Sequence, residues 1–228
     1  MAKDISCVKK QCELLEKQEP ILNGPQRPIL LLKKKEDTIL APSVAPDNPN
    51  VGIMIPYAPV QVLIFNYPDE YKISDYLIMT SANPSGAPIC RNDEEVIKYI
   101  LPICDAVLSN NREIRMRCDD SVMSWHENKP YMIRRSRGYS PIPFMLSFDD
   151  SQILTKENPS VENKAKSVLA IGGELKNTFC ISKNDLFYPS PYIGDLADVR
   201  SIETLKNEIE LFSSLLEVKP DAIVCDMH

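Results

Sequence analysis

Proline limits the length of the structural elements in this chain, which has nineteen prolines but only seven glycines among its 228 residues. Proline cannot continue the interior of a helix or of an inner strand, so it ends or bends the element before it. No apolar run approaches the roughly 18 residues that a membrane-spanning helix needs. Hydrophobic residues make up 43% of the chain, enough for a sizeable core. The sequence therefore predicts short elements joined by fixed turns, in one large or two small domains.

Apolar periodicity predicts both helices and strands between these turns. Helices are predicted at residues 4–17, 60–65 and 201–216, and another is capped by Asn92 or Asp93. The side chains of this last helix that are expected to face the core are Val96, Ile97, Ile100 and Leu101. Short strands are predicted at residues 29–32, 76–79, 106–108, 168–171, 178–182, 186–188 and 222–225, the last of them buried. Residues 51–55 are predicted to form a buried strand or a turn. A hairpin is predicted to pair residues 122–126 with residues 131–135, and the fold class is α/β.

A polar segment, M-T-S-A-N-P-S-G (79–86), begins at the last residue of the strand predicted at residues 76–79. Thr80, Ser81 and Asn83 offer small hydroxyl and amide groups, and Gly86 then turns the chain. Ligands of open α/β sheets bind just beyond the carboxyl ends of strands, so the segment fits a loop that binds phosphate or another polar ligand. An ordinary polar turn explains the same composition.

Arginines are concentrated in one short region, because six of the nine lie between Arg112 and Arg137. The guanidinium fork matches phosphate and carboxylate oxygens, so this clustering in an acidic chain indicates an anion site. The alternative is a structural network in which the arginines pair with nearby carboxylates. Asp119 and Asp120 could hold Mg²⁺ beside a nucleotide or orient the arginines, and Ser121 could donate to a phosphate or simply begin a strand.

Two further loops contain groups that suit a nucleotide. Glycines that allow close backbone approach are followed by polar side chains in the first loop, which contains Gly172, Gly173, Lys176 and Asn177. Asp195, in the second, could serve a metal–nucleotide complex. Both loops are equally compatible with ordinary hairpin turns.

Charge and cysteine content exclude several classes of protein. The net charge of −6 argues against general binding to nucleic acids or membrane surfaces. Seven scattered cysteines without a C-x-x-C pair indicate reduced thiols and a cytoplasmic location. Two histidines give neither a catalytic triad nor a metal constellation, and no P-loop or G-x-G-x-x-G motif is present.

The motifs together resemble a known family. M-T-S-A-N-P-S-G (79–86), R-C-D-D-S-V (117–122) and R-R-S-R-G-Y-S-P (134–141) occur in the order and at spacings similar to the YrdC-like domain of the HypF carbamoyltransferases. G-G-E-L-K-N-T-F (172–179), Y-I-G-D-L (192–196) and C-D-M-H (225–228) resemble the opening of the actin-like ATPase domain of that family. The resemblance implies a mixed, twisted YrdC-like sheet with flanking helices, followed by the first part of an actin-like domain.

The resemblance also implies a reaction in the maturation of nickel–iron hydrogenases. Such proteins use ATP with Mg²⁺ and carbamoyl phosphate to form carbamoyl-adenylate, and pass the carbamoyl group to the C-terminal cysteine of the protein HypE. Implied ligands of the nucleotide and carbamoyl-adenylate are Thr80, Ser81, Asn83, Arg117, Ser121, Arg135 and Arg137. Asp119 and Asp120 would orient arginines or accompany Mg²⁺. The implied nucleotide-associated residues of the second region are Gly172, Gly173, Lys176, Asn177 and Asp195.

Departures from the family pattern lead us to expect an incomplete copy. The expected division is a YrdC-like domain at residues 1–146 without its N-terminal part, a linker at 147–166, and a truncated actin-like domain at 167–228. The acylphosphatase domain, the zinc fingers, a K-x-R motif and a histidine-rich metal motif are not found in the sequence. We therefore expect no zinc or other metal of the full-length family here, and little activity from this chain alone. The alternatives are a threonylcarbamoyl-AMP synthase of tRNA modification and a non-catalytic remnant that binds nucleotide or RNA.

Overall fold

The structure, a computed structural model, describes residues 1–68, 70–146 and 167–227. The chain divides into two compact units: Met1–Ser81 with Asp120–Tyr139, and Ala82–Asp119 with Ser140–His228. Each unit contains one mixed sheet with helices, which confirms the predicted α/β class. The linker predicted at residues 147–166 lies outside the described residues, and the expected domain boundaries stay a prediction.

The first unit is built on a four-stranded sheet. Its elements are helices α1 (Ile5–Gln11), α2 (Glu19–Asn23) and α3 (Pro59–Asn66), a 3₁₀ turn (Pro42–Val44), and strands β1 (Ile29–Lys33), β2 (Asn50–Ile53), β3 (Val122–His126) and β4 (Lys129–Arg134). The strand order is β2-β1-β3-β4, in which β1 runs parallel to β3 and the other pairs are antiparallel. The parallel pairing of β1 with β3 joins distant parts of the sequence. The segment Asp120–Tyr139 therefore belongs to the same unit as the first 81 residues.

The core of the first unit lies between its sheet and its first helices. Alternate β1 side chains, Leu30 and Leu32, are fully buried against Val8 and Leu22 of the helices. The helix predicted at residues 4–17 is shorter than expected, because it ends at Gln11 and the extended Cys12 pairs with Lys34 in an isolated bridge. Pairing with the residue after β1 thus replaces the last turns of the predicted helix.

Two strand predictions in this unit have different outcomes. The hairpin is confirmed, although its turn consists of Glu127 and Asn128, both with positive φ, and strand β4 already begins at Lys129. The strand predicted at residues 76–79 is wrong, because only Tyr76 forms a bridge, to Ala2.

The second unit is built on a five-stranded sheet. Its elements are helices α4 (Asp93–Tyr99) and α5 (Val199–Leu216), a 3₁₀ turn (Leu101–Ile103), and strands β5 (Phe144–Met145), β6 (Val168–Ala170), β7 (Cys180–Lys183), β8 (Leu186–Pro189) and β9 (Ala222–Val224). The order is β5-β8-β7-β6-β9, antiparallel except for the parallel pair β6 and β9. The helices within the described residues are too short or too polar to cross a membrane.

Helix α5 packs its apolar stripe on this sheet. Leu205 and the fully buried Phe212 lie in the core, where the Phe212 ring meets Phe179 edge to face at a centroid distance of 5.2 Å. The Asp198 carboxylate caps the helix by accepting from the Arg200 N–H. The helix predicted at residues 201–216 is therefore confirmed.

Three expectations for the second unit are wrong. Asn92 caps α4 as predicted, but Ile97 of that helix is 60% exposed and Leu101 is also exposed. Residues 106–108 form no strand. Strand β9 exists but is not buried, since Ile223 is 65% exposed on a strand that has a neighbour on one side only.

Candidate functional site

The first unit brings two of the motifs together at one end of its hairpin. Asp120 and Ser121 lie just before β3, and the segment from Arg135 to Gly138 follows β4. Because β3 and β4 are antiparallel, these two ends are adjacent, and Asp120 forms an isolated bridge with Arg137. The Arg134 Nε donates to the Asp120 carbonyl oxygen at 2.8 Å.

The guanidinium of Arg137 is the centre of this arrangement. Its Nε and Nη2 both contact Asp120 Oδ1 at 2.8 Å. Nη1 donates to the Gln26 carbonyl at 3.0 Å and Nη2 to the Arg27 carbonyl at 2.8 Å. We call these four residues, together with Tyr57, the Arg137 cluster. The pairing of Asp120 with an arginine is the structural alternative that the sequence left open, and it is present in this cluster.

Tyr57 belongs to the cluster although the sequence did not single it out. The Arg137 Cζ lies 3.4 Å from the centroid of the Tyr57 ring, which is a cation–π contact. Burial, and then the negative charge of Asp120, raise the pKa of the Tyr57 hydroxyl. The feature of the sequence that could have indicated Tyr57 is the position of an aromatic residue between two prolines, just before a helix.

Ser121 is completely buried, and its hydroxyl is bonded within the chain. The hydroxyl donates to the Arg137 carbonyl at 2.9 Å and accepts from the Ser136 N–H at 2.8 Å. Gly138 follows at φ +83°, and a Cβ there would lie 2.8 Å from the Gln26 backbone. The segment after β4 is therefore held closely against the rest of the unit. Phosphate binding by Ser121 and by the half-buried Arg135 stays a prediction.

The segment at residues 79–86 is shared between the units. Thr80 and Ser81 are exposed residues of the first unit. Asn83 belongs to the second unit, where its Nδ2 donates to the carbonyls of Pro84 and Ala87 at 3.1 and 2.7 Å. The predicted binding of one ligand by all three stays a prediction.

Arg117 lies in the second unit and contacts α4 and α5. Its Nη2 binds both carboxylate oxygens of Glu95, at 2.8 and 3.1 Å. Its backbone N–H donates to Glu208 Oε1 at 3.2 Å, and burial raises the pKa of this carboxyl. Asp119 of this unit is half-buried. No group of three or more potential metal-ligating side chains (His, Cys, Asp or Glu) occurs within residues 1–68, 70–146 and 167–227.

The second unit also brings the two predicted loops of the second region together. Asn177 and Gly194 form an isolated bridge, and the Lys176 N–H donates to Asp195 Oδ1 at 2.6 Å. The buried Asn177 Nδ2 donates to the carbonyls of Ile171 and Gly173, at 3.0 and 2.7 Å. The five residues predicted for this region are therefore neighbours in space.

Comparison with known proteins gives the family. The Sua5/YciO/YrdC family, described as telomere recombination, matches residues 1–136, and the HypF Kae1-like domain matches residues 163–228. The chain belongs to the Sua5/YciO/YrdC family, and its second region matches the Kae1-like domain of HypF.

Individual relatives extend this match to the whole chain. The chain is 33% identical to carbamoyltransferase HypF of Rhizobium leguminosarum bv. viciae over its full length, which is 28% of that protein. It is 35% identical to carbamoyltransferase HypF2 of Cupriavidus necator over 91% of the chain and 26% of the relative. It thus spans less than a third of these relatives, and the predicted resemblance to HypF is confirmed.

Solved structures agree with this assignment. The crystal structure of full-length HypF in the phosphate- and nucleotide-bound form matches the whole chain with 36% identity and a TM-score of 0.84, over 33% of that protein. HypF of T. kodakarensis matches the whole chain with 34% identity and a TM-score of 0.85, over 27% of that protein.

Proposed function

We propose that this chain serves a HypF-type carbamoyltransferase reaction. In that reaction, carbamoyl phosphate is activated with ATP and Mg²⁺ as carbamoyl-adenylate, and the carbamoyl group passes to the C-terminal cysteine of HypE during hydrogenase maturation. The observation that carries the proposal is the presence of both family matches in one chain, in the same order as the motifs. A HypF structure with bound phosphate and nucleotide supports a nucleotide ligand.

The first region would bind the adenylate. Thr80, Ser81 and Asn83 would contact the adenylate and its carbamoyl group, while Arg135 would hold phosphate. Ser121 would contribute by fixing the segment after β4, because its buried hydroxyl is bonded to Ser136 and Arg137. The reactants are polyanions, so such a site accelerates the reaction by positioning them and neutralising charge rather than by a protein nucleophile. The Arg137 cluster supports this role because it holds the segment after β4 in one conformation.

The loops of the second region would contact a nucleotide phosphate during carbamoyl transfer. Gly172 has φ +77°, so backbone amides can be presented there in a conformation that other residues rarely adopt. Lys176 would supply positive charge beside Asp195, and Asp195 could accompany Mg²⁺. Asn177 would contribute by fixing the loop rather than by contact, because it is 1% exposed.

Threonylcarbamoyl-AMP synthesis is the nearest rival activity, since it also uses a YrdC-type fold. It requires threonine and bicarbonate in place of carbamoyl phosphate. The match of residues 163–228 to the HypF Kae1-like domain favours the carbamoyl reaction.

Isothermal titration with two non-hydrolysable analogues tests the proposal. The chain is expected to bind the carbamoyl-adenylate analogue more tightly than the threonylcarbamoyl-adenylate analogue. Ser81→Ala is expected to weaken binding roughly tenfold, the effect of one hydrogen bond to a charged ligand. Ser85→Ala, the same change at another exposed serine of the loop, is the matched control and should have no effect. Tighter binding of the threonylcarbamoyl analogue, or no binding of either, would contradict the proposal.

A further inference from the structure

Arg117 makes contacts that differ from those of a ligand-binding arginine. It lies in the R-C-D-D-S-V motif and in the stretch matched by the Sua5/YciO/YrdC family. Its partners on α5 lie in the stretch matched by the HypF Kae1-like domain. All of these residues belong to the second compact unit, so Arg117 joins the two matched stretches within one unit.

Each nitrogen of the guanidinium has an acceptor in the chain. Nε donates to the Ile89 carbonyl at 2.7 Å, Nη2 binds the Glu95 carboxylate, and Nη1 donates to Thr204 Oγ1 at 3.4 Å. The Arg117 side chain is only 16% exposed. The side chain of Glu95, a residue of α4, is also fixed to the segment before this helix, because its Oε2 accepts from the Arg91 N–H at 2.9 Å. The fork therefore connects the segment before α4, α4 itself and α5.

The backbone of Arg117 makes a second connection to α5. Its N–H donates to Oε1 of Glu208, which is 3% exposed. Thr204 and Glu208 are four residues apart in the sequence, so they lie on the same face of the helix. A buried carboxylate is costly unless it is hydrogen-bonded, and its contact with Arg117 is the compensation that the structure provides. The other carboxylate oxygen, Oε2, is buried and has no hydrogen-bond partner among the described residues.

We propose that Arg117 is a positioning residue that joins the segment of residues 82–119 to α5, so that the two open and close as one cooperative unit. Its donors serve this connection and do not bind nucleotide. The proposal does not rest on the carbamoyltransferase function, because it concerns the chain without ligand.

Hydrogen exchange measured by mass spectrometry on the full, nucleotide-free chain tests the proposal. Arg117→Ala removes the guanidinium contacts to Glu95 and Thr204 but keeps the backbone N–H that donates to Glu208. It is expected to speed exchange of the amides of both α4 and α5 roughly tenfold, since each helix loses its contact with the charged group. Arg115→Ala is the matched control, because the Arg115 side chain is 81% exposed, and it should leave both helices unchanged. Should Arg117→Ala fail to fold, Glu95→Gln removes the charge of the pair and should still speed exchange in both helices.

Conservative variants separate a specific connection from general damage. Glu208→Gln keeps an acceptor for the Arg117 N–H and is expected to retain most of the protection, whereas Glu208→Ala should lose it. Unchanged exchange in α5 on loss of Arg117 would overturn the proposal. So would an Arg117→Ala variant that loses affinity for the carbamoyl-adenylate analogue while α5 remains protected, because Arg117 would then be a ligand.

Discussion

Replacing Arg137 is the most direct test of how the first unit is held together. In the Arg137→Ala variant, the Gln26 and Arg27 carbonyls and Asp120 Oδ1 lose their donor, and the Tyr57 ring loses its cation. These groups come from three separate segments of the unit, which the guanidinium connects to one another. We therefore expect a loss of stability rather than a local rearrangement.

The magnitude follows from the number of contacts and their exposure. An acceptor left without a donor costs about 1–3 kcal/mol when fully buried. The Arg137 and Asp120 side chains are 20% and 25% exposed, so water can replace part of the lost bonding. We expect Arg137→Ala to lower the free energy of unfolding by about 3 kcal/mol. Arg137→Lys, which keeps the charge but not the planar fork, should cost about half as much.

Urea unfolding followed by tryptophan fluorescence measures this loss in the correct unit. Trp125 is the single tryptophan of the chain and lies in β3, a strand of the unit that contains the Arg137 cluster. With a slope of about 2 kcal/mol per molar urea, the midpoint for Arg137→Ala should fall by about 1.5 M. Lys33→Ala is the control in the same unit, since its exposed pair with Glu13 is expected to leave the midpoint almost unchanged. A midpoint for Arg137→Ala equal to that of the control would refute the reasoning.

Three further predictions concern two neighbouring glycines, the cap of α1 and the cysteines. Gly172→Ala should lower the free energy of unfolding by at least about 2 kcal/mol in thermal denaturation, because φ is +77° and the new Cβ would overlap the Thr178 carbonyl oxygen. Gly173→Ala, whose nearest atom would lie at 3.9 Å, should cost well under half of that, and equal costs would contradict the argument. The pKa of Asp4, the cap of α1, is lowered to about 2 by hydrogen bonds from Ser6 and Cys7. Its stabilisation is therefore complete above its ordinary pKa of 3.8 and disappears as the pH falls through about 2, a dependence that Asp4→Asn should remove from acid unfolding curves. Labelling with iodoacetamide, followed by mass spectrometry, should show that the exposed thiols of Cys118 and Cys225 react well before the buried ones. The buried thiols are those of Cys7, Cys12 and Cys90.

Local signals in the sequence predicted the elements that depend on neighbouring residues. The Asn92 cap, the 122–134 hairpin and the apolar stripe of α5 follow from capping, turn and periodicity rules, and the structure contains all three. The sequence could not show which short apolar segments pair with a neighbouring strand in a sheet. Residues 106–108 have none within the described sheets, and β9 has one on a single side, so it stays exposed.

The candidate site shows the same limit for side chains. The clustering of arginines was visible in the sequence, but the choice between anion binding and internal pairing depends on contacts with distant residues. The carbonyls of Gln26 and Arg27 are more than a hundred positions away from Arg137, and a backbone acceptor leaves no trace in residue types. Tyr57 was missed for a similar reason, since its partner is distant in the sequence.

Arg117 and Arg137 use the same construction in different units. Each guanidinium binds one carboxylate together with one or two backbone carbonyls, and the carboxylate lies on or next to a helix or strand. Such a set satisfies the planar fork without a ligand and fixes the backbone on both sides of it, which a lysine could not do with a single ammonium group. An arginine-rich motif in an acidic chain can therefore build a rigid support, and the residues that contact a phosphate need only be few. In this chain the motif residue Arg135 lies between a strand end and the Arg137 cluster, so its neighbours determine its backbone position without a ligand.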